Sequence, residues 1–451
     1  MQVVDAPREI ERALVVGVER LGDSRWDHAD SLDELGELVK SAGGDVADVA
    51  VQRLEKPTAP FYIGKGKARE LHEQFPKGDA QVVVFDDELS PAQARNLEGV
   101  FKRKILDRTQ LILDIFAQRA RSREGKLQIE LAQLQYLLPR LTRMWTHLSR
   151  QAGGIGTRGP GETQLEVDRR RVQEKIARLN RELEEVRKQR DTQRQGRKRA
   201  HWPIVALVGY TNAGKSTLIN RLTTAEVYAA DQLFATLDPT TRRMELPNRQ
   251  RVLLTDTVGF LQKLPHHLVE SFKATLEEVS EADLLLHVVD LSHPQYLQQM
   301  EAVDTVLDEL NARDKQTLHI FNKIDLVKNP ALIDHALNQH PGSVAISART
   351  GEGLRTLKEE METQLANWRL RVRLVLPNSE TALLAALHRT GRVLELRYEG
   401  DETHVLAHIP PQLQGQVEPY KVEADDDAFD PRDAAGGPSA RAFAESGSFR
   451  A

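Results

Sequence analysis

The 451-residue chain contains no cysteine, so neither a disulfide framework nor a thiolate metal site can form. That fits a reducing compartment. Long hydrophobic runs are also missing. The longest, such as Leu284 to Val289, are far too short to cross a bilayer. Met1 to Arg12 carries acidic residues and lacks the apolar core of a signal peptide. A cytoplasmic protein without a transmembrane segment is expected, in part peripheral to the membrane. Positive charge is not in overall excess either. The net charge is −5, which taken alone argues against a nucleic-acid partner.

What is present begins with the distribution of that charge. Between Arg95 and Arg150 stand 12 Lys/Arg against 5 Asp/Glu, and between Asp168 and Ala200 stand 13 against 6. The last thirty or so residues lean acidic. Basic character is concentrated in one region that the average conceals. Apolar residues make up 40% and charged residues 29%, as in globular proteins, and the length suggests about three domains.

Residues 1–125 read as an α/β domain. Ala13–Val18, Val49–Arg53 and Gln81–Phe85 are expected strands. Ser31-x-x-Glu34 has the spacing of a capping box for a helix ended by Gly43-Gly44, and Ser90-Pro91 opens another. Alternating strands and helices favour a mainly parallel sheet. Residues 126–200 form a second unit. Leu127, Leu131, Leu134, Leu138, Leu141, Trp145 and Leu148 follow a 4-3 beat, as do Leu165, Val172, Ile176, Leu179, Leu183 and Val186, apart from Arg169 at one seam position. Two such helices joined by the Gly-rich segment Gln151–Gly161 predict an antiparallel hairpin, with Pro139 kinking its first arm. Gln193–His201 reads as a basic linker. Residues 201–369 carry the nucleotide motifs below. Residues 370–420 read as a βαββ domain, and 421–451 as a disordered acidic tail.

Gly209-Tyr210-Thr211-Asn212-Ala213-Gly214-Lys215-Ser216 matches the Gly-x-x-x-x-Gly-Lys-Ser/Thr phosphate loop at every fixed position, between an apolar run and a helix-forming run that includes Thr217. Glycines let backbone N–H groups converge on a polyphosphate. Lys215 is placed to reach the β- and γ-phosphates, and Ser216 to ligate Mg2+. About 40 residues on, Asp256-Thr257-Val258-Gly259 follows a second apolar strand. Asp256 can act on the magnesium shell through water, and the Gly259 N–H can meet a γ-phosphate.

Asn322-Lys323-Ile324-Asp325 follows a further strand. The Asp325 carboxylate can accept from both N1–H and the N2 amino group of guanine, which adenine cannot satisfy. Asn322 would tie this loop to the phosphate loop, and the Lys323 stem would cover the base. Ser347-Ala348 offers a backbone N–H to the guanine carbonyl. Between the first two motifs lies Phe234-Ala235-Thr236-Leu237-Asp238-Pro-Thr240-Thr241-Arg242. Thr236 is the expected second Mg2+ ligand, with Thr240 and Thr241 as rivals. Lys215, Thr236 and Gly259 are the candidate catalytic groups. Many GTPases place a water-orienting glutamine just after Asp-x-x-Gly. Here that position is Phe260, so hydrolysis is expected to be slow until a partner assists.

With these residues in place, the chain resembles the HflX group of ribosome-associated GTPases, close to the Obg group and within the translation-factor-type GTPases. The resemblance rests on Gly-Tyr-Thr-Asn-Ala-Gly-Lys-Ser-Thr-Leu, Phe-Ala-Thr-Leu-Asp-Pro-Thr-Thr-Arg and Asp-Thr-Val-Gly-Phe. Tyr62-Ile63-Gly64-Lys65-Gly66-Lys67 and Gly159-Pro160-Gly161-Glu162-Thr163-Gln164-Leu165-Glu166 add to it, and it spans roughly residues 10 to 410. It implies an α/β multidomain protein: a phosphate-loop GTPase domain with an N-terminal α/β domain, an antiparallel helical hairpin and a small C-terminal α+β domain. It also implies GTP and GDP as ligands, and the large ribosomal subunit and its RNA as partner. In related GTPases an asparagine at the loop position of Asn212 accompanies a bound K+, and the resemblance carries that expectation here. The hairpin tip would point toward the peptidyl-transferase centre, and stalled ribosomes would be separated into subunits. Arg143, His147, Arg150 and Arg158 near the tip are the candidate RNA contacts. The family is associated with ATP use by its N-terminal region, for which no residue here marks a site. A monomer is expected. The other reading is a signalling or scaffold GTPase gripping a protein through its coiled coil.

Overall fold

The computed structural model describes residues 10–20, 28–76, 78–141, 164–198, 202–223, 233–234, 240–263, 276, 278–366, 370–409 and 413–422. The chain divides into two compact units, Met1–Ala366 and Asn367–Ala451.

The first unit opens with β1 (Arg12–Arg20), α1 (His28–Ser41), β2 (Asp45–Leu54), α2 (Lys65–Gln74), β3 (Val82–Phe85), α3 (Pro91–Phe101), β4 (Lys104–Asp107) and α4 (Arg108–Arg119). The sheet is parallel throughout, in the order β2-β1-β3-β4. Its central strand β3 is an apolar run, Val-Val-Val-Phe, buried on both faces as parallel strands usually are. α3 starts as expected: Ser90 accepts from Gln93 N–H, Gln93 returns the bond, and Pro91 occupies the first turn. α1 does not. It already runs from His28, so Ser31 and Glu34 lie inside the helix, and their side chains serve the contacts described below. β4 and α4 went unmarked in the sequence because β4 is only four residues long and runs directly into its helix.

α5 (Arg123–Leu141) and α6 (Gln164–Lys198) pack along Leu127, Leu131 and Leu134 against Ile176, Leu179 and Leu183. Arg123 reaches Glu182 and Lys175 reaches Glu130, which sets the helices antiparallel. The last turns of the first arm, one continuous helix through Pro139, contact the α/β domain. Tyr136 donates to Asp107 at 2.8 Å, and Arg140 binds Asp107 and the Leu89 carbonyl. α6 continues through Lys198, so most of the expected linker is helix; its Lys, Arg and Gln residues are good helix formers. The hairpin tip, with Arg143, His147, Arg150 and Arg158, lies outside the described residues.

The third part is a six-stranded sheet ordered β10-β9-β8-β5-β7-β6, from β5 (Ile204–Val208), β6 (Thr240–Glu245), β7 (Arg251–Asp256), β8 (Leu284–Asp290), β9 (Thr317–Asn322) and β10 (Val344–Ala345). Only β6 is antiparallel. α7 (Lys215–Leu222), α8 (Tyr296–Glu309), α9 (Pro330–Gln339) and α10 (Leu354–Ala366) accompany it. One apolar core runs without a break from Ile112, Phe116 and Ile129 of the first domain and hairpin to Phe234, Val258, Phe260 and Leu285 here.

The second unit holds β11 (Leu370–Pro377), α11 (Thr381–Thr390), β12 (Arg392–Glu399) and β13 (Glu402–Ile409). Its antiparallel sheet is ordered β11-β13-β12. Val372, Leu374, Leu387, Val405 and Ala407 fill its core.

Candidate functional site

β5 ends at a switch point of the sheet, with β8 on one side and β7 on the other, and the phosphate loop springs from it. Gly209 has φ 149°, and a Cβ there would meet the Val288 carbonyl oxygen at 2.2 Å. Gly214 has φ 97°, and a Cβ there would meet Asn322 Nδ2 at 2.3 Å. Both positions therefore require glycine. Asn212 is held at φ 57°. Lys215 heads α7, is 6% exposed, and gives its Nζ to the carbonyls of Gly209 (2.9 Å) and Tyr210 (2.7 Å). Burial lowers its pKa to about 8.

The other motifs converge on this loop. Ser216 Oγ donates to Asp256 Oδ2 at 3.0 Å, where β7 ends. Thr257 anchors the following turn on the Leu207 carbonyl at 2.5 Å. Asn322 donates to the Ala213 carbonyl at 2.8 Å and accepts from Ala348 N–H at 2.9 Å, joining three loops with one side chain. Of the two Ser347-Ala348 amides, either of which was open to face guanine, Ala348 N–H is given to Asn322 and Ser347 N–H to the Glu352 carbonyl at 3.0 Å. Lys323, at φ 63°, pairs with Asp290 at 2.7 Å. Ile324 and Asp325 form a single turn beyond it, and Ser347 is buried. Phe234 N–H donates to Thr211 Oγ1 at 3.1 Å.

Ala235, Thr236, Leu237 and Asp238 lie outside the described residues. Of the rival threonines, Thr241 is committed to the sheet, its hydroxyl 3.2 Å from that of Thr255. Thr240 opens β6 opposite Asp256. Among the described residues no cluster of three or more His, Asp or Glu could hold an ion. The oxygens of Ser216 and Asp256 suit magnesium, a hard cation that keeps waters and takes phosphate oxygens as ligands. When bound, Mg2+ supplies charge that offsets the developing negative charge on the phosphates.

Phe260 is 2% exposed in the apolar core. Its backbone pairs with the phosphate loop: Phe260 N–H to the Gly209 carbonyl at 3.2 Å, Thr211 N–H to the Phe260 carbonyl at 2.7 Å. A ring so placed offers nothing to orient water.

The groups that face the loop from the first domain are far from it along the chain and carry no nucleotide motif of their own. Tyr210, second in the phosphate loop, donates its hydroxyl to Glu34 of α1 at 2.7 Å and accepts from Gln262 N–H at 2.9 Å. Glu34 also receives Arg108 at 3.2 Å, and Arg108 is bound to Asp86 at 2.6 Å and to the Ser31 carbonyl. Burial raises the Glu34 carboxyl, and Arg108 offsets this only in part. Burial would also raise Asp86, but Arg108 and Lys263 bring it below the usual range. The one available signal was the tyrosine itself, since a buried phenol needs a partner. A cleft of about 560 Å³ lies here, lined among others by Glu34, Tyr210, Thr211, Asn212, Leu233 and Asp290.

Sheet order, loop and the three segments around it define a phosphate-loop GTPase. Three family profiles match in succession: "GTP-binding GTPase N-terminal" over residues 29–117, "GTP-binding GTPase Middle Region" over 119–197 and "50S ribosome-binding GTPase" over 204–323. The GTPase HflX of Lacrimispora saccharolytica is 48% identical over 406 residues, covering 90% of this chain and 95% of that protein. The GTPase HflX of Escherichia coli is 49% identical over 361 residues, covering 80% and 85%. A solved structure described as an SsGBP and GDP complex aligns with 78% of this chain and 98% of its own, at 24% identity and a TM-score of 0.46. The chain belongs to the HflX GTPases, and it is a GTP-hydrolysing enzyme. Among the described residues no helix is long and apolar enough to cross a membrane.

Proposed function

We propose that this protein is a GTP-switched factor that binds the large ribosomal subunit and its RNA and splits or rescues stalled ribosomes under stress. The observation that carries this reading is a covalent arrangement. A domain matching 50S ribosome-binding GTPases is joined directly to an antiparallel hairpin whose second arm and linker hold 13 basic against 6 acidic residues. Polyphosphate RNA is the partner such charge fits. Lys215, Ser216 and the loop amides bind the phosphates, Asp325 selects guanine, and Gly259 senses the γ-phosphate. Thr236 completes the magnesium site, and Arg143, His147, Arg150 and Arg158 contact RNA.

The buried Phe260 supports slow hydrolysis by the protein alone, accelerated when the subunit supplies or positions the missing group. Asn212, held left-handed in the loop beside the cleft that Asp290 also lines, supports a K+ ion that adds positive charge near the phosphates. Hydrolysis is then faster in potassium than in sodium chloride at equal ionic strength; equal rates would remove potassium from the account. The ribosomal role is tested by adding purified large subunits to the GTPase assay, with Arg150→Glu and Arg158→Glu together as the comparison. Stimulation that disappears in the double variant and weakens steeply with salt is the expected result. Salt-insensitive binding to a protein helix would instead favour a scaffold GTPase.

A further inference from the structure

Tyr62-Ile63-Gly64-Lys65-Gly66-Lys67 and Asp87 take no part in the site described so far, yet with Asp86 they meet it at one residue. Lys263 follows Gly259 by four positions. Its Nζ lies 2.5 Å from Asp86 Oδ2 and 2.9 Å from Asp87 Oδ1, at the C-terminal end of β3. Each carboxylate is held from behind. Asp86 is 3% exposed and bound by Arg108 and by Ser31 Oγ at 2.8 Å. Asp87 accepts the Tyr62 hydroxyl and is approached by Arg20 at 3.4 Å. Tyr62 itself is buried at φ 67°, in a tight loop closed by two backbone bonds with Thr58. A tyrosine kept in that unfavourable conformation aims its hydroxyl at one carboxylate oxygen. Lys263 is left-handed as well, at φ 56°.

The same short segment is fixed at two further points, the paired backbone of Phe260 and the Tyr210 hydroxyl on Gln262 N–H. In this arrangement Gly259 packs directly on the phosphate loop. A Cβ on it would lie 2.9 Å from the Thr211 Cα and 3.1 Å from Lys215 Nζ. A γ-phosphate reaching Lys215 needs that space, and the Thr211 N–H is already given to Phe260. A γ-phosphate seated there would lift residues 259–263 from the loop, and Lys263 would move with them.

We propose that Asp86 and Asp87 form a receptor for Lys263, a latch through which the N-terminal domain opposes γ-phosphate binding and registers it when it occurs. Lys263 and Asp87 are positioning residues: they touch no nucleotide and act through the placement of Gly259. The Tyr62–Lys67 motif belongs to this receptor through Tyr62. The inference rests on guanine nucleotides binding at the phosphate loop and not on the ribosomal role.

The test uses the full chain without ribosomes. GDP and a non-hydrolysable GTP analogue are titrated with magnesium into wild type, Asp87→Asn, Lys263→Met and the double variant. Losing a partly exposed ion pair should improve analogue affinity relative to GDP by about three- to tenfold in each single variant. GDP affinity should stay within about twofold, and the double variant should gain little beyond either single change. Lys263 lies on the surface, so Lys263→Met remains informative if Asp87→Asn folds poorly. An unchanged ratio in Lys263→Met, equal changes for both nucleotides, or additive effects in the double variant would overturn the latch. GDP binding in wild type reports independently that the site itself is as described.

Discussion

Asp325 stands on a single helical turn after Asn322, whose own amide is shared between two other loops. The carboxylate proposed to read the base therefore follows a loop held in place by Asn322. Asp325→Asn replaces an acceptor that two guanine donors can share with an amide that suits xanthine better. GTP affinity should fall by about a hundredfold while xanthosine triphosphate affinity rises, as measured by calorimetry. A variant that still prefers GTP would remove Asp325 from the reading.

His287, beneath the loop on β8, is a second residue with a calculable consequence. Its ring is buried 5.2 Å from that of His319, with His340 beyond at 5.1 Å, and neither His287 Nδ1 nor His319 Nδ1 has a hydrogen-bond partner. Burial lowers the His287 pKa to about 3, helped by the nearness of His319 and Lys215, and lowers that of His319 to about 4. Both rings are neutral in the folded chain, whereas unfolding frees them to take protons below about 6.5. Above that pH they cost nothing. As pH falls from there toward the folded values, the unfolded state gains. Linkage gives a loss of about 2 kcal/mol per ring by pH 5. Denaturant unfolding at pH 7.5 and pH 5 should show this loss, and His287→Leu should reduce it by about half. An unaltered pH dependence in the variant would contradict the assignment.

At the scale of elements, the hairpin is held by a small core of six apolar residues, among which Leu179 is 1% exposed. Leu179→Ala should destabilise it by about 2–3 kcal/mol. Circular dichroism should show earlier loss of helix, with GTP binding retained because no described contact of that core reaches the phosphate loop. The hairpin was legible because a 4-3 apolar beat has few competing explanations. So were α3, through Ser90 and Pro91, and the phosphate loop, through its fixed glycines. Ser31 and Glu34 were misread for a physical reason. A serine and a glutamate three residues apart satisfy a helix start, but the same pair inside a helix projects two polar groups on one face, here toward Asp86 and Tyr210. Local spacing cannot tell these apart. Arg108, Asp86 and Lys263 are far apart along the chain, and no periodicity announces a cluster assembled by tertiary packing.

At the scale of the whole molecule, one of the apolar clusters among the described residues joins the first domain, the first arm of the hairpin and the GTPase domain. Under the proposed latch, movement of residues 259–263 would be resisted by packing and by the Lys263–Asp86 and Lys263–Asp87 pairs. On the proposed function, that cluster would link the nucleotide site to the first arm of the basic hairpin. The most direct measurement is cosedimentation with purified large ribosomal subunits, comparing protein loaded with a non-hydrolysable GTP analogue and protein loaded with GDP, across a salt series. The account predicts firm, salt-sensitive binding in the first case and release in the second. Binding that is the same with either nucleotide would contradict it.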